Sequence, residues 1–164
     1  MNPNEVPTVS VLVVDDSEIV RSRLCALLTE SPRIEVVGEA RDAHEALREF
    51  EAVRPDAVVL DYLLPDATGV DVLRQMKQSA PWCVVILLTS LPESILKETC
   101  LACGADYFFH KATQFERVPE VLDRLASELQ ARRHPLRKAK ATCEPHVAVD
   151  CHESPLTARS FDTQ

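Results

Sequence analysis

The chain has 164 residues, of which 46% are hydrophobic, and its formal net charge is −8 at pH 7. These values are typical of one domain with a single hydrophobic core, and the acidic balance argues against nucleic acid or an anionic membrane as the main partner. We find no signal peptide in the sequence and no apolar stretch of the roughly 18 residues that a membrane span requires. We therefore expect a cytoplasmic protein without membrane contacts.

Nearly unbroken apolar runs predict four buried strands, and a more polar segment, residues 33–40, predicts a further strand at an edge. Runs without polar alternation are typical of strands covered on both faces, as in a parallel sheet. In chain order, the predicted strands are residues 9–14, 33–40, 56–60, 83–89 and 106–109.

Segments with apolar residues at helical spacing separate and follow these strands. Ser17 is a candidate N-cap of the first helix, Gly104 is a C-terminal stop of the fourth, and Pro119 must lie in the first turn of the fifth or bend it. The predicted helices are residues 17–30, 42–54, 70–78, 93–104 and 115–133. This alternation predicts an α/β fold with a doubly wound parallel sheet and helices on both faces.

The composition divides the chain into three parts. Residues 1–8 are predicted to be an N-terminal extension, and residues 9–133 the folded domain. Residues 134–164 combine Pro, Ser, Thr and charge without a sustained period, so we expect a mostly disordered tail.

Six cysteines are scattered along the chain, and we interpret them as free thiols in a reducing cytosol. Cys100 and Cys103 form a C-x-x-C pair late in a predicted helix, whereas a thioredoxin-type pair opens one, so core packing is the favoured interpretation. Zinc-ligand residue types also occur in the tail: Cys143, His146, Cys151 and His152. Their spacing matches no usual zinc finger, and we favour disorder over metal binding there.

Polar residues stand where the predicted strands end. Asp15 and Asp16 follow the first strand, Asp61 follows the third, Thr89 ends the fourth and Lys111 comes just after the fifth. In open α/β sheets, ligands bind at the carboxyl ends of the strands. We therefore expect these side chains to converge on one site.

The residue types at this edge suit phosphoryl chemistry. Two carboxylates about 4 Å apart repel by roughly 4 kcal/mol at an effective dielectric of 20. Three acids would therefore raise one another's pKa or require a cation, and Mg²⁺ prefers such oxygen ligands. Lys111 adds a fixed positive charge, and a carboxylate can attack phosphorus while cations neutralise the phosphoryl oxygens. Pro65 and Gly69 are then interpreted as the turn that carries the chain away from the site.

Four segments, VLVVDDS, VVLDYLLPDATG, ILLTS and GADYFFHK, occur in the order and spacing of a known family. Together they resemble the receiver domain of two-component response regulators, and the resemblance covers residue 9 to about residue 130. It implies a flavodoxin-like five-stranded sheet in the order 2-1-3-4-5. It also implies that Asp61 is the phosphoacceptor, and that Asp15, Asp16, Asp61 and the backbone carbonyl of Leu63 bind Mg²⁺.

The resemblance also implies roles for residues of the last two strands. Thr89 corresponds to the switch hydroxyl, Lys111 to the lysine that contacts the phosphoryl group, and Phe108 to the switch aromatic. Two positions depart from common patterns of the family. Ala112 replaces a frequent proline that follows a cis bond, which leaves that loop's geometry open, and Leu63 is apolar, which leaves the lifetime of the phosphate open.

The expected function is that of a stand-alone receiver, a signalling module and not an enzyme, with at most Mg²⁺-dependent self-phosphorylation and self-dephosphorylation. It would accept a phosphoryl group from a sensor histidine kinase or a histidine phosphotransfer protein and change its binding to a downstream protein. A phosphorelay intermediate and a fragment of a longer regulator are the alternatives, and the fourth helix, fifth strand and fifth helix form a common homodimer face in the family.

Three other classes of protein fit the sequence less well. An aspartate-nucleophile phosphatase often has a second acid two residues after the nucleophile, and here that position is Leu63. A nucleotide- or flavin-binding fold would need a glycine-rich turn after the first strand. A DNA-binding regulator would need a helix-turn-helix domain in addition to these residues.

Overall fold

The computed structural model describes residues 8–133. All of these residues belong to one compact unit. The predicted tail, residues 134–164, and nearly all of the predicted N-terminal extension, residues 1–8, lie outside the described residues, as do the Cys and His residues of the tail.

Five strands alternate with five helices along the described chain. The strands are β1 (Val9–Val14), β2 (Ile34–Ala40), β3 (Ala57–Asp61), β4 (Val84–Thr89) and β5 (Tyr107–His110). The helices are α1 (Glu18–Leu28), α2 (Ala43–Val53), α3 (Gly69–Ser79), α4 (Glu93–Ala102) and α5 (Arg117–Arg133). Each predicted element is present, and the ends differ from the predicted ones by two residues at most.

The sheet has the order β2-β1-β3-β4-β5, and every pair of neighbouring strands is parallel. Both the doubly wound parallel sheet and its order are thereby confirmed, as is the edge position of β2. Because the strands are parallel, their carboxyl ends lie at one edge of the sheet. Asp61 is in register with Leu88, and Thr89 with His110, so the last three strands end side by side.

The helix ends follow from local chemistry. Ser17 caps α1 by accepting a hydrogen bond from the backbone of Val20, as predicted, and Thr68 caps α3 in the same way. Pro119 is the third residue of α5, which places it in the first turn, where a missing N–H costs no helical hydrogen bond.

Alternate side chains of the strands enter two hydrophobic layers, one on each face of the sheet. Helices α2, α3 and α4 cover one layer, which includes Phe50, Leu73 and Phe108. Helices α1 and α5 cover the other, which includes Leu24 and Leu122. The cysteines of the described residues are free, and Cys83 and Cys100 are buried, in agreement with a packing role.

Candidate functional site

Three carboxylates meet at the carboxyl edge of the sheet. Asp15 directly follows β1 and is 2% exposed, and Asp61 is the last residue of β3 and is 5% exposed. Asp16 is exposed to solvent. One carboxylate oxygen from each of these residues lies within 4.8 Å of the others, so the convergence predicted from the strand ends is found.

Lys111 bridges the two buried acids. Its Nζ lies 2.6 Å from Asp15 Oδ2 and 2.8 Å from Asp61 Oδ2. The backbone N–H of Lys111 donates to the carbonyl of Thr89 at 2.8 Å, which fixes the lysine against the end of β4.

Burial and charge act in opposite directions on this ion pair. Burial raises the pKa of Asp61 above its ordinary value, although the hydrogen bond and the charge of Lys111 oppose the rise. Burial alone would lower the pKa of Lys111, but its hydrogen bonds and charge interactions with Asp15 and Asp61 outweigh burial and raise that pKa. The ammonium is therefore held in its charged form between two carboxylates.

The loop between β1 and α1 orients Asp15. Its backbone N–H donates to the carbonyl of Ala40 at 3.1 Å, and its Oδ1 accepts from the backbone of Ser17 at 3.0 Å. Since Oδ2 contacts Lys111, both oxygens of this carboxylate have fixed partners on the protein.

The loop between β3 and α3 folds back tightly on Asp61. The Gly69 N–H donates to the Tyr62 carbonyl at 2.7 Å, and a Cβ atom at Gly69 would lie only 2.3 Å from the carbonyl oxygen of Asp61. Glycine is needed there because the backbone approaches the strand end so closely. The backbone of Leu63, two residues after Asp61, helps to lower the pKa of the Asp61 carboxyl, and the Leu63 side chain is 51% exposed.

Asp66, on the same loop, was not singled out from the sequence. Its carboxylate accepts hydrogen bonds from the backbone of Ala43 at 2.8 Å and of His44 at 3.1 Å. These are first-turn donors of α2, which Asp42 also caps through Glu45. The loop that follows Asp61 is thus tied to the start of a helix elsewhere in the chain.

Thr89 ends β4, the strand next to that of Asp61, and Phe108 lies in β5, one strand further. Thr89 is fully buried, and its Oγ1 accepts a hydrogen bond from the backbone of Leu91 at 3.1 Å. Phe108 is 4% exposed and already packs in the layer under α2, α3 and α4. The hydroxyl proton of Thr89 is not used in its bond to Leu91, where the oxygen is the acceptor.

Ala112, where the sequence left the geometry of the loop open, uses its backbone N–H. It donates to His110 Nδ1 at 3.2 Å, a bond that proline could not make. The described residues contain no cis peptide bond.

An open cleft of about 400 Å³ adjoins the acids. Asp16 lies in its wall, and the other residues that line it are Arg41, Asp42, His44, Pro65 and Asp66. The cleft therefore gives solvent and small solutes a way to the exposed side of the acid group.

The site has more negative than positive charge, which favours the binding of a cation. The three carboxylates outnumber the ammonium of Lys111, and their oxygens are the ligand type that a hard divalent ion prefers. The chemistry of this donor set fits Mg²⁺, with Asp15, Asp16 and Asp61 as the residues that could hold a metal ion.

Comparison with known proteins agrees with this geometry. Residues 11–123 match the response regulator receiver domain family. The chain belongs to this family. The receiver domain was thus correctly identified from its four motifs, and its sheet order is that of the receiver structures it resembles.

A curated response regulator is similar in sequence to this receiver. The response regulator protein VraR of Staphylococcus aureus is 33% identical over 115 residues, which are 70% of this chain and 55% of VraR. The chain therefore spans about half the length of the curated relatives that it matches.

Among solved structures, the receiver domain of the putative response regulator NarL from Mycobacterium tuberculosis is 29% identical, with a TM-score of 0.66, and the match covers 73% of this chain and 97% of that one. A LuxR-family response regulator from Aurantimonas sp. SI85-9A1 is 27% identical, with a TM-score of 0.69, and the match covers 74% and 86%. None of the helices in residues 8–133 is long and apolar enough to cross a membrane.

Proposed function

We propose that this receiver accepts a phosphoryl group on Asp61 from a phosphohistidine of a sensor histidine kinase or a histidine phosphotransfer protein. The observation that carries the proposal is a buried strand-end carboxylate that is bonded to Lys111 and lies beside two further acids. A carboxylate oxygen of Asp61 would attack phosphorus, the bond from phosphorus to the donor would break, and an acyl phosphate would form.

Mg²⁺ is the proposed cofactor. Asp15, Asp16 and Asp61 would hold it with the backbone carbonyl of Leu63, and when bound it would neutralise charge on the phosphoryl oxygens. Asp15 is positioned for this in advance, because its backbone and its carboxylate are both hydrogen-bonded within the fold.

Lys111 and Thr89 have separate proposed roles. The Lys111 ammonium lies 2.8 Å from Asp61 Oδ2, so it can pair with a phosphoryl oxygen on that carboxylate without a large movement. Thr89 can donate its hydroxyl proton to another phosphoryl oxygen. That bond would favour a different arrangement of the loop from Thr89 to Pro92 and so alter the surface beside α4.

The output is proposed to be a change in binding to a downstream protein, and not the turnover of an external substrate. Phe108 is already buried, so an inward rotation of this ring is not required, and switching would depend mainly on Thr89 and its loop. A homodimer through α4, β5 and α5 is proposed from the family resemblance, and a cytoplasmic location is proposed from the sequence.

The phosphoacceptor is tested by Asp61→Asn, because an amide cannot act as this nucleophile. After treatment with acetyl phosphate and Mg²⁺, intact-mass spectrometry should show one phosphoryl group on the wild type and none on the variant. Asp71→Asn is the control, since Asp71 is an exposed acid in the first turn of α3. A phosphoryl group retained by Asp61→Asn would refute the assignment.

A receiver within a longer regulator is the second candidate arrangement. The match to only 55% of VraR and the similarity to a LuxR-family regulator favour it, and a DNA-binding output would then become available to the natural protein. The intact mass of the natural protein decides between the two arrangements: 18.3 kDa supports a stand-alone receiver, and a clearly larger mass supports the longer regulator.

A further inference from the structure

Arg21 is an arginine of α1 whose side chain is mostly buried against the acid site. It is only 15% exposed, although arginine side chains are mostly found on the surface. Arg23, two residues later on the same helix, is 66% exposed. The two arginines therefore differ in what they contact and not in the element that carries them.

The Arg21 guanidinium holds the backbone that carries two of the acids. Its Nη1 donates to the carbonyl of Asp15 at 2.8 Å and to the carbonyl of Asp16 at 3.4 Å. Its Nε lies 3.6 Å from Glu39 Oε2, at the end of β2. One side chain thus connects the loop after β1 with the neighbouring edge strand.

Glu39 also acts on Cys25 of α1. Burial, followed by the charge of Glu39 and a hydrogen bond to it, raises the pKa of the Cys25 thiol to about 11. The thiol is therefore protonated at neutral pH, and the carboxylate that pairs with Arg21 has an uncharged neighbour on α1.

We propose that Arg21 is a positioning residue, which fixes the carbonyls of Asp15 and Asp16 so that their carboxylates are set for Mg²⁺ before the ion binds. This inference rests on the proposed function, because it concerns the same metal site. It adds a residue that contacts neither the metal ligands' carboxylates nor the phosphoacceptor.

The shape of the guanidinium makes the proposal specific to arginine. Its planar group can donate to two carbonyls and pair with a carboxylate at the same time, whereas the ammonium of lysine is a compact point charge on a flexible stem. Arg21→Lys therefore keeps the charge but loses the simultaneous contacts.

If Arg21 acted on Mg²⁺ only through its charge, its variants would change metal binding in the opposite direction from that expected for a positioning role. A positive charge close to three carboxylates repels a divalent cation, so an effect of charge alone would make Mg²⁺ bind more tightly to Arg21→Met and equally well to Arg21→Lys. An effect of position weakens binding in both variants, because the loop loses its bridge in both.

The experiment is a calorimetric Mg²⁺ titration of the wild type, Arg21→Met, Arg21→Lys, Glu39→Gln and the control Arg23→Met. Arg23 contacts Glu116 and Phe115 on the other side of α1, so its loss should leave the dissociation constant within twofold. We expect Arg21→Met to raise the dissociation constant about tenfold, the lower end of what outer-shell partners of a metal site contribute. Arg21→Lys and Glu39→Gln should raise it by smaller factors.

A second measurement does not involve the metal. In metal-free protein, amide hydrogen exchange of residues 15–17 should be faster in Arg21→Met than in Arg23→Met. Glu39→Gln changes an acid that is 51% exposed, so it tests the bridge even if Arg21→Met does not fold.

The outcomes separate this inference from the proposed function. A wild type that binds no Mg²⁺ refutes the metal site, while hydrogen exchange still reports on the loop. A wild type that binds Mg²⁺, with Arg21 variants that match Arg23→Met in both measurements, refutes the positioning role alone. Tighter binding by Arg21→Met with an unchanged Arg21→Lys would assign the effect to charge.

Discussion

Two lysine–aspartate pairs lie at opposite edges of the same sheet. At the amino edge, Lys77 Nζ lies 2.6 Å from Asp106 Oδ2 and donates to the Cys83 carbonyl at 2.7 Å. The same Asp106 oxygen accepts the backbone N–H of Val85 at 2.8 Å. Here one cation meets one acid, and backbone groups provide the other bonds.

The carboxyl edge has a different balance of charge. Lys111 contacts two buried carboxylates, and Asp16 supplies a third nearby. Lys111 is shared by two buried acids, whereas Lys77 pairs with one acid that is 38% exposed. A lysine–aspartate pair at a strand end therefore does not by itself indicate function, whereas a lysine shared by two buried acids, with a third acid nearby, indicates a functional site.

Removing each lysine in turn should show the largest difference between the two edges. Lys111→Met should slow phosphorylation by acetyl phosphate about 100-fold, because it deletes a charge aimed at the developing phosphoryl oxygens. Lys77→Met should leave that rate unchanged and lower the free energy of unfolding by at most about 1 kcal/mol, since Asp106 is 38% exposed. Rates from intact-mass spectrometry and chemical denaturation measure the two effects. Equal rates for the two variants would refute the distinction between the edges.

Substitution of one glycine near each edge should give a smaller difference in stability and in phosphorylation rate. In Gly69→Ala the new Cβ would lie 2.3 Å from a backbone oxygen, so the loop must move, at a cost of about 3 kcal/mol and with slower phosphorylation. Gly104, with φ of +105°, has Lys77 Cγ as its nearest neighbour at 3.7 Å. Gly104→Ala should cost about 1–2 kcal/mol through backbone strain and leave phosphorylation unchanged. Denaturant titration and phosphorylation rates check both, and a normal rate in Gly69→Ala would contradict the role of the close approach.

The smallest expected effect is on how the melting temperature depends on pH. Asp61 and Asp66, five positions apart, should change this dependence in opposite directions. Burial raises the pKa of Asp61 above 3.8, so the folded state binds this proton more readily than the unfolded state. Its contribution to stability therefore falls as pH rises through the folded pKa. In metal-free buffer, Asp61→Asn should melt a few degrees above the wild type at pH 7, and the gain should vanish in acid.

Asp66 should show the opposite sign. Backbone hydrogen bonds from Ala43 and His44 lower its pKa below 3.8, so its contribution is present above that value and is lost as pH falls through the folded pKa. Asp66→Asn should melt below the wild type at pH 7 and match it in strong acid. Melting curves across this pH range that move in the same direction for both variants would contradict the assignment.

The sequence predicts the fold and the acid group because both depend on local patterns. Unbroken apolar runs mark strands covered on both faces, and once the sheet is parallel, the residues after each run must share an edge. The positions of Asp15, Asp61 and Lys111 follow from that rule, and the structure places all three in contact.

Other features of the site depend on contacts between segments that are distant in the sequence, so they could not be predicted from it. In the sequence, Arg21 looks like an ordinary solvent-exposed charge on a helix. Its hydrogen bonds to two carbonyls become visible only when α1 is packed against the sheet. The turn at Gly69 was predicted, but the close approach that requires glycine was not. The different exposure of the adjacent residues Asp15 and Asp16 likewise depends on how the loop leaves β1.

The two hydrogen bonds that the first turn of α2 donates to Asp66 allow motion of the loop after Asp61 to be observed. Helix α2 has one cap from its own sequence, Asp42, and one from a residue 23 positions after Ala43. The amides of Ala43 and His44 can therefore exchange with solvent faster when the loop after Asp61 moves, even while the rest of the helix stays intact. The first turn of α2 is thus a natural reporter for that loop, readable at single-residue resolution without any added probe.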